Sequence, residues 1–258
     1  MLSQVNKIIS KNKANADSEV CAKVVRETIK QVNAEFNALS PAKKRVAIAK
    51  DVIANINANL IDARRGVTCE TYDVSDSGES LDNVNNLVCG LITDNVSCEC
   101  CAVGSMLAST AINNKKISKE VLHSNNDMST AVEALKVYWP RWNLMAIEIA
   151  FERGSGAFQP PYEVEAWSRQ DLYGEHCDLI NVHFNKSKNK WIGYECGDEH
   201  DVKLIKGDNT YTLNQKIKIF QKAVNFRTRT PKRKAQNDSE ILIAIMENVI
   251  KNDGIFLP

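Results

Sequence analysis

Three cysteines fall within four positions, at Cys98, Cys100 and Cys101, and the residues that follow, Ala102-Val103-Gly104-Ser105-Met106-Leu107-Ala108-Ser109-Thr110, are nearly all small or apolar. This stretch constrains the fold more than any other. Side chains so small let a second backbone approach closely, and the run offers no charged face to water. It is either a packing node or a site built on thiols. Ser97 stands where an N-cap would be, so the pattern predicts a helix to about Asn113 with Cys98, Glu99 and Cys100 in its first turn. The positive end of the helix dipole there favours thiolate if the thiols are exposed.

Each chemical reading of the thiols has a plainer competitor. A structural zinc site usually spaces its cysteines as C-x₂₋₄-C, and this spacing is C-x-C-C. Remote Cys69, Cys89 or Cys196 could complete such a site. A nucleophilic cysteine needs a base, and His123, His176, His183 and His200 are the histidines available to fold near it. Cys98, Cys100 and Cys101 are therefore alternative catalytic candidates, while buried packing thiols beside Gly104 and Ala108 are the favoured reading. Two more segments, Gly174-Glu175-His176-Cys177-Asp178 and Cys196-Gly197-Asp198-Glu199-His200-Asp201, gather carboxylates and imidazoles around cysteines. They could meet as a metal or acid/base site, but polar turns bounding a hairpin account for them more simply. The P-loop, GxGxxG, HExxH and GxSxG patterns are absent, which removes the usual support for nucleotide hydrolysis, dinucleotide redox chemistry and common hydrolase routes. No complete catalytic constellation occurs, and no metal or cofactor is expected.

Composition narrows the partners. With 33 Lys and Arg against 32 Asp and Glu, the net charge of +1 gives no bulk field for nucleic acid or an anionic membrane. No run of about 18 apolar residues occurs, and residues 1–9 contain no uninterrupted apolar core of a leader. The expectation is a soluble chain that is not exported, with reduced thiols.

The periodicity organises the rest. Val20, Val24, Val25, Ile29, Val32 and Phe36 predict an amphipathic helix that ends at Ser40-Pro41, the same pair that starts the next, with Val46, Ala49, Val52, Ile53, Ile56 and Leu60 on one face. Lys43, Lys44, Arg45 and Lys50 cluster at that second helix, where a solvated basic face is the favoured reading over phosphate binding. Residues 66–74 alternate as a short strand. Helical patterns return at Ser129 to Trp139 and, after Pro140, at Arg141 to Phe151, with Leu144, Ile147 and Glu148 in the repeat. Leu179 to Phe184 and Lys190 to Cys196 predict a hairpin across a polar turn. Arg227 to Lys234 is a basic run with a proline, read as an exposed connector rather than a nucleic-acid contact. Asp238-Ser239 opens a final helix through Lys251, apolar nearly all round and hence buried, which Gly254 terminates.

These readings add up to an α+β fold, a helical body with an inserted β-rich module. Residues 1–157 and 236–258 form the body, and 158–235 form the insertion and its basic connector. The insertion's aromatics Trp167, Tyr173, Trp191 and Tyr194 are the partner-binding candidates, because such rings bury large area at low rotamer cost. They could equally form the module's own small core.

Four segments resemble a family of uncharacterised phage and prophage proteins: Lys44-Arg45-Val46-Ala47-Ile48-Ala49-Lys50-Asp51-Val52-Ile53, Cys98-Glu99-Cys100-Cys101-Ala102-Val103-Gly104-Ser105, Ile147-Glu148-Ile149-Ala150-Phe151-Glu152, and Ile245 through Phe256. Within that setting the chain is similar to the Gabija anti-defence inhibitors. The resemblance covers the helical frame and not residues 158–229, and it carries over no functional residues. It implies a homo-oligomeric, non-catalytic inhibitor that encloses a bacterial defence nuclease complex in the host cytoplasm, with no membrane or nucleic-acid partner. The runner-up readings are an enzyme built on Cys98 to Cys101, thiol-dependent or metal-assisted, and a basic-patch nucleic-acid binder.

Overall fold

Ser40-Pro41 divides the first two helices by its chemistry. The computed structural model describes residues 3–5, 7, 19–66, 69–71, 98–110, 113, 128–152, 180–195, 198–201 and 211–258. In it α1 spans Glu19–Asn37 and α2 spans Pro41–Asn57. The Ser40 hydroxyl accepts the Lys43 N–H at 3.4 Å, and Pro41 takes the first turn, where a missing N–H costs nothing. Ile48, Ala49, Val52 and Ile56 turn inward from α2, together with Asp51 and Asn55.

The chain then builds a three-stranded sheet from β1 (Ile61–Ala63), β2 (Cys69–Thr71) and β3 (Cys98–Cys100). β3 is central, parallel to β1 with Cys98 opposite Ile61, and antiparallel to β2 with Cys100 opposite Cys69. This corrects the expectation that Cys98, Glu99 and Cys100 begin a helix. Cys-Glu-Cys alternates with a period of two, burying Cys100 while Glu99 stays partly exposed and pairs with Arg64. Pairing on both edges also supplies backbone hydrogen bonds that a helical first turn leaves unmade. The expected strand over 66–74 is realised at Cys69–Thr71.

The helix begins later, as α3 (Ala102–Thr110), and every residue in it is buried. α4 covers Met128–Leu135, and α5 covers Arg141–Glu152, buried from Trp142 onward. α3 and α5 pack on each other at the centre, with α2 and α4 against α3, and α6 (Leu213–Val224) and α8 (Asp238–Lys251) against α5. The most extensive helix–helix contact is between α2 and α8.

A second sheet is an antiparallel meander of β4 (Ile180–Asn185), β5 (Lys190–Glu195) and β6 (Asp198–Asp201). The hairpin is as expected; the third strand takes the place of the polar turn expected at Asp198-Glu199-His200-Asp201. Its backbone pairs with Ile192 to Glu195, while Glu199 and Asp201 reach Lys188 and Lys190 as ion pairs.

Residues 211–235 do not stand apart with an insertion or connector. α6 opens with a capping box between Thr212 and Gln215, and its Ile219, Phe220 and Ala223 join the main core, as does Phe226. A short α7 (Pro231–Lys234) follows, capped by Thr230. α8 opens at Asp238-Ser239 as expected and is capped by Asn237, in a box with Glu240. Its buried residues are Ile241, Leu242, Ile245, Met246 and Val249, whereas Ile243 and Ala244 are only partly buried, so α8 is a striped helix and not one buried all round.

The C-terminal residues are clasped by side chains. The Asn143 amide donates to Phe256 O at 3.0 Å and accepts its N–H at 3.1 Å; Asn248 does the same for Leu257 at 2.9 and 2.8 Å. Trp139 donates its indole N–H to Gly254 O at 2.9 Å. Gly254 has φ +88°, and a Cβ there would lie 2.6 Å from Arg45 Cβ and 2.9 Å from Ala42 O. Among the described residues, no helix is long and apolar enough to cross a membrane. Urea unfolding should find Phe256→Ala destabilised by about 3–5 kcal/mol through the cavity it leaves. Gly254→Ala should lose stability through both the backbone strain and the clash with α2; an unchanged midpoint for either variant refutes the clasp.

Candidate functional site

The junction of β3 and α3 is a turn of one residue, and that residue is Cys101. Its Sγ accepts the Gly104 N–H at 3.3 Å while its carbonyl accepts the Ser105 N–H at 2.9 Å, so Cys101 does for α3 what Ser97 was expected to do. The adjacent orphan amide, Val103 N–H, donates to Glu148 Oε2 at 2.9 Å, supplied across the core by α5. One turn further along α5, Glu152 accepts the Gly66 N–H at 2.9 and 3.0 Å, holding the bend after β1, where Gly66 adopts φ +76°.

Electrostatics follow from this packing. Burial pushes the Glu148 carboxyl up to about 7, and the charge of Glu152 adds to the rise, against the hydrogen bonds from Val103 and Cys101. Burial also pushes the Cys101 thiol well up, and Glu148 adds to that. Such a thiol stays protonated. A nucleophile needs the opposite, an ionised and reachable sulfur, and Cys100 and Cys101 are only 0% and 2% exposed. Cys98 pairs through its backbone with Ile61 and Thr71 at the sheet's centre.

The described histidines and aromatic candidates lie together in the second sheet. His183 and His200 lie in β4 and β6, as Trp191 and Tyr194 lie in β5. Trp167, Tyr173, His123, His176, Cys89, Cys177 and Cys196, and with them the Gly174 to Asp178 segment, fall outside the described residues. Among the described residues no group of three or more His, Cys, Asp or Glu could hold a metal ion. A second polar chain crosses the core, where Asn55 donates to Asp51 Oδ2 at 3.1 Å and to Ser109 Oγ at 3.0 Å, and Ser3 Oγ donates to Asp51 Oδ1 at 2.6 Å. Glu148, Glu152 and Asn143 are not among the site residues expected from the sequence. Their signal was there: α5 reads Arg-Trp-Asn-Leu-Met-Ala-Ile-Glu-Ile-Ala-Phe-Glu, and polar residues inside so apolar a helix need partners.

The basic run is not simply an exposed connector. Arg227 pairs with Asp238, which also accepts from the Arg65 side chain at 3.2 Å. Burial alone would raise Asp238, but the hydrogen bond and charge of Arg227, with the charge of Arg65, outweigh it and hold the carboxyl below its usual range. Arg233 stacks 3.7 Å from the Phe226 ring centroid. At α2, Lys44 lies 5.7 Å over Phe36 and Arg45 donates to Tyr138 O at 3.1 Å, so that basic cluster is partly structural.

No family model, no curated protein and no solved structure matches the chain.

The raised Glu148 sets a pH window. Its contribution is fully present below the unfolded value near 4.5 and is lost as pH rises through about 7. Glu148→Gln keeps an acceptor for Val103 and removes the titration. Between pH 5 and 8 it should therefore gain on the wild type by on the order of 2–3 kcal/mol, read by denaturant unfolding at each pH. Parallel pH profiles for the two proteins rule this out. In the native wild type, Cys100 and Cys101 should resist thiol labelling and react only on unfolding; rapid native labelling of either contradicts the burial.

Proposed function

We propose that the protein works by binding and not by catalysis, as a phage-encoded inhibitor that sequesters a bacterial defence nuclease complex of the Gabija type in the host cytoplasm. The observation that carries the non-catalytic part is the Cys101–Glu148 pair. The two groups that most resemble a nucleophile and its base are consumed in capping α3, with the thiol held protonated. The resemblance to phage proteins supplies the rest. Its four segments fall on α2, on β3 with α3, on α5, and on α8 with the clasped tail, all parts of the central framework.

In this reading the framework presents a β-rich module that includes the β4–β6 meander, with Trp167, Tyr173, Trp191 and Tyr194 as anchors for partner and self-association. Small homo-oligomeric assemblies suit an inhibitor that encloses its target, because repeated copies of one surface cover a large complex.

The test mixes the purified protein with a purified Gabija nuclease complex and measures particle mass and DNA cleavage together. The expected outcome is one larger species of defined stoichiometry with cleavage suppressed. Cys101→Ala, where it remains folded, should inhibit as well as the wild type, whereas Trp191→Ala with Tyr194→Ala should weaken binding by about tenfold or more. Unchanged particle masses with full nuclease activity overturn the proposal, and loss of inhibition by a folded Cys101→Ala returns the thiol to a chemical role.

A further inference from the structure

The basic run Arg227-Thr228-Arg229-Thr230-Pro231-Lys232-Arg233-Lys234 folds back on itself, and its cations divide into two sets. Arg227 is neutralised by Asp238 and faces inward. Arg229, Lys232 and Arg233 instead line a surface cleft of about 470 Å³, together with Thr230, Gln236 and Ala244. That division is set by α7. Thr230 caps it by accepting the Arg233 N–H at 3.2 Å, and Pro231 opens it, so the turn brings residues 229, 232 and 233 to one rim.

No carboxylate lines the cleft, and neither Arg229 nor Lys232 has an ion-pair partner among the described residues. The positive charges face one another uncompensated: burial first, then the like charge of Arg229, pushes the Arg233 guanidinium below its ordinary value. Arg233 is held in place by the Phe226 ring and by its own bond to Phe226 O at 3.4 Å, so part of the site is preorganised. Gln236 adds a further unmet group, since its Oε1 is buried with no hydrogen-bond partner. Rotating that amide turns its N–H₂ to the same place and makes it a donor.

We propose that this cleft is a phosphate-binding site, taking the oxyanion of a nucleotide-sized ligand or of an exposed nucleic-acid backbone. Arginine forks match phosphate oxygens in pairs, lysine adds a point charge, and the Thr230 hydroxyl retains a proton to donate. A terminal phosphate or polyphosphate answers three cations with more than one negative charge, and a nucleic-acid backbone does so with successive singly charged phosphates. The volume lies within the range of small-molecule sites. The site is independent of the proposed inhibitory function, because it lies on the α6–α8 connection and uses none of the β5 aromatics.

The test uses the full chain at low salt, with inorganic tripolyphosphate followed by calorimetry and a single-stranded DNA oligonucleotide followed by fluorescence anisotropy. Arg229→Ala and Lys232→Ala remove exposed side chains that support no core contact, and Lys186→Ala removes an exposed lysine from the β4–β5 turn as a control. Circular dichroism confirms that each variant is folded. Saturable tripolyphosphate binding that falls about tenfold in each of the first two variants, and not in the control, supports a small phosphorylated ligand. The same pattern with the oligonucleotide alone supports a backbone phosphate. Absence of saturable binding to both probes overturns the proposal, as does binding that Arg229→Ala and Lys232→Ala leave unchanged or that Lys186→Ala weakens equally.

Discussion

Glu148 places an ionisable side chain where the chain offers it no water, and much of the body is arranged to make that position tenable. A buried carboxyl is costly unless its oxygens find donors. The donor it finds, Val103 N–H, is itself a group that would otherwise be stranded, since α3 begins inside the core and its first amides have no carbonyl behind them. Each group satisfies the other, and neither could be buried alone. Cys101 completes the end by accepting from Gly104, and Glu152 repeats the device one turn along for the bend at Gly66. Two carboxyls on one face of α5 thereby fix the ends of the first sheet relative to the central helix.

The same logic closes the outer layer. Asp238, at the start of α8, gathers Arg65 from the bend after β1 and Arg227 from the turn after α6, so one carboxylate ties the α6–α8 connection to a segment 173 residues away. Asn143 and Asn248 then pin residues 256 and 257 by pairing with both their N–H and C=O groups, the geometry a neighbouring strand would offer. Phe256 meets Phe226 edge-on at 5.3 Å in the space this leaves. Polar side chains supply the register and apolar ones supply the burial.

Elements whose signals are local were legible in the sequence. α1, α2, α5 and the β4–β5 hairpin sit where periodicity, Ser40-Pro41, Pro140 and the turn residues put them. Cys98 to Cys100 was not legible, because three residues are too short for a period to speak, and an apparent serine cap argued for a helix. What decides their conformation is pairing with β1 and β2, whose paired residues lie 37 and 27 to 31 positions away in sequence, and nothing local records it. α6 was missed for a related reason. Its neighbours are rich in β-branched and aromatic residues, and the Leu213–Val224 amphipathic stripe gains meaning only against α5. At the candidate site the cysteine cluster was visible but its partner was not, since Glu148 reads as one more position in a helical repeat until Val103 is placed beside it.

The setting of Cys101 accounts for a cysteine at this position on folding grounds alone. A strand that turns into a fully buried helix across one residue needs a cap small enough to sit among Ala102, Val103 and Met106, able to accept a hydrogen bond, and tolerant of an apolar setting. Serine meets the first two demands but brings a hydroxyl that is costly to bury without further partners. A thiol accepts weakly, donates weakly to Glu148, and packs as an apolar side chain. The environment that makes the thiol suitable as a cap also raises its ionisation well above the ordinary value, so structural fitness and nucleophilic fitness pull in opposite directions at Cys101. With the central thiol and carboxyl committed to folding, the described surface charge is uneven: ion-paired across the β4–β6 sheet, and uncompensated at Arg229 and Lys232.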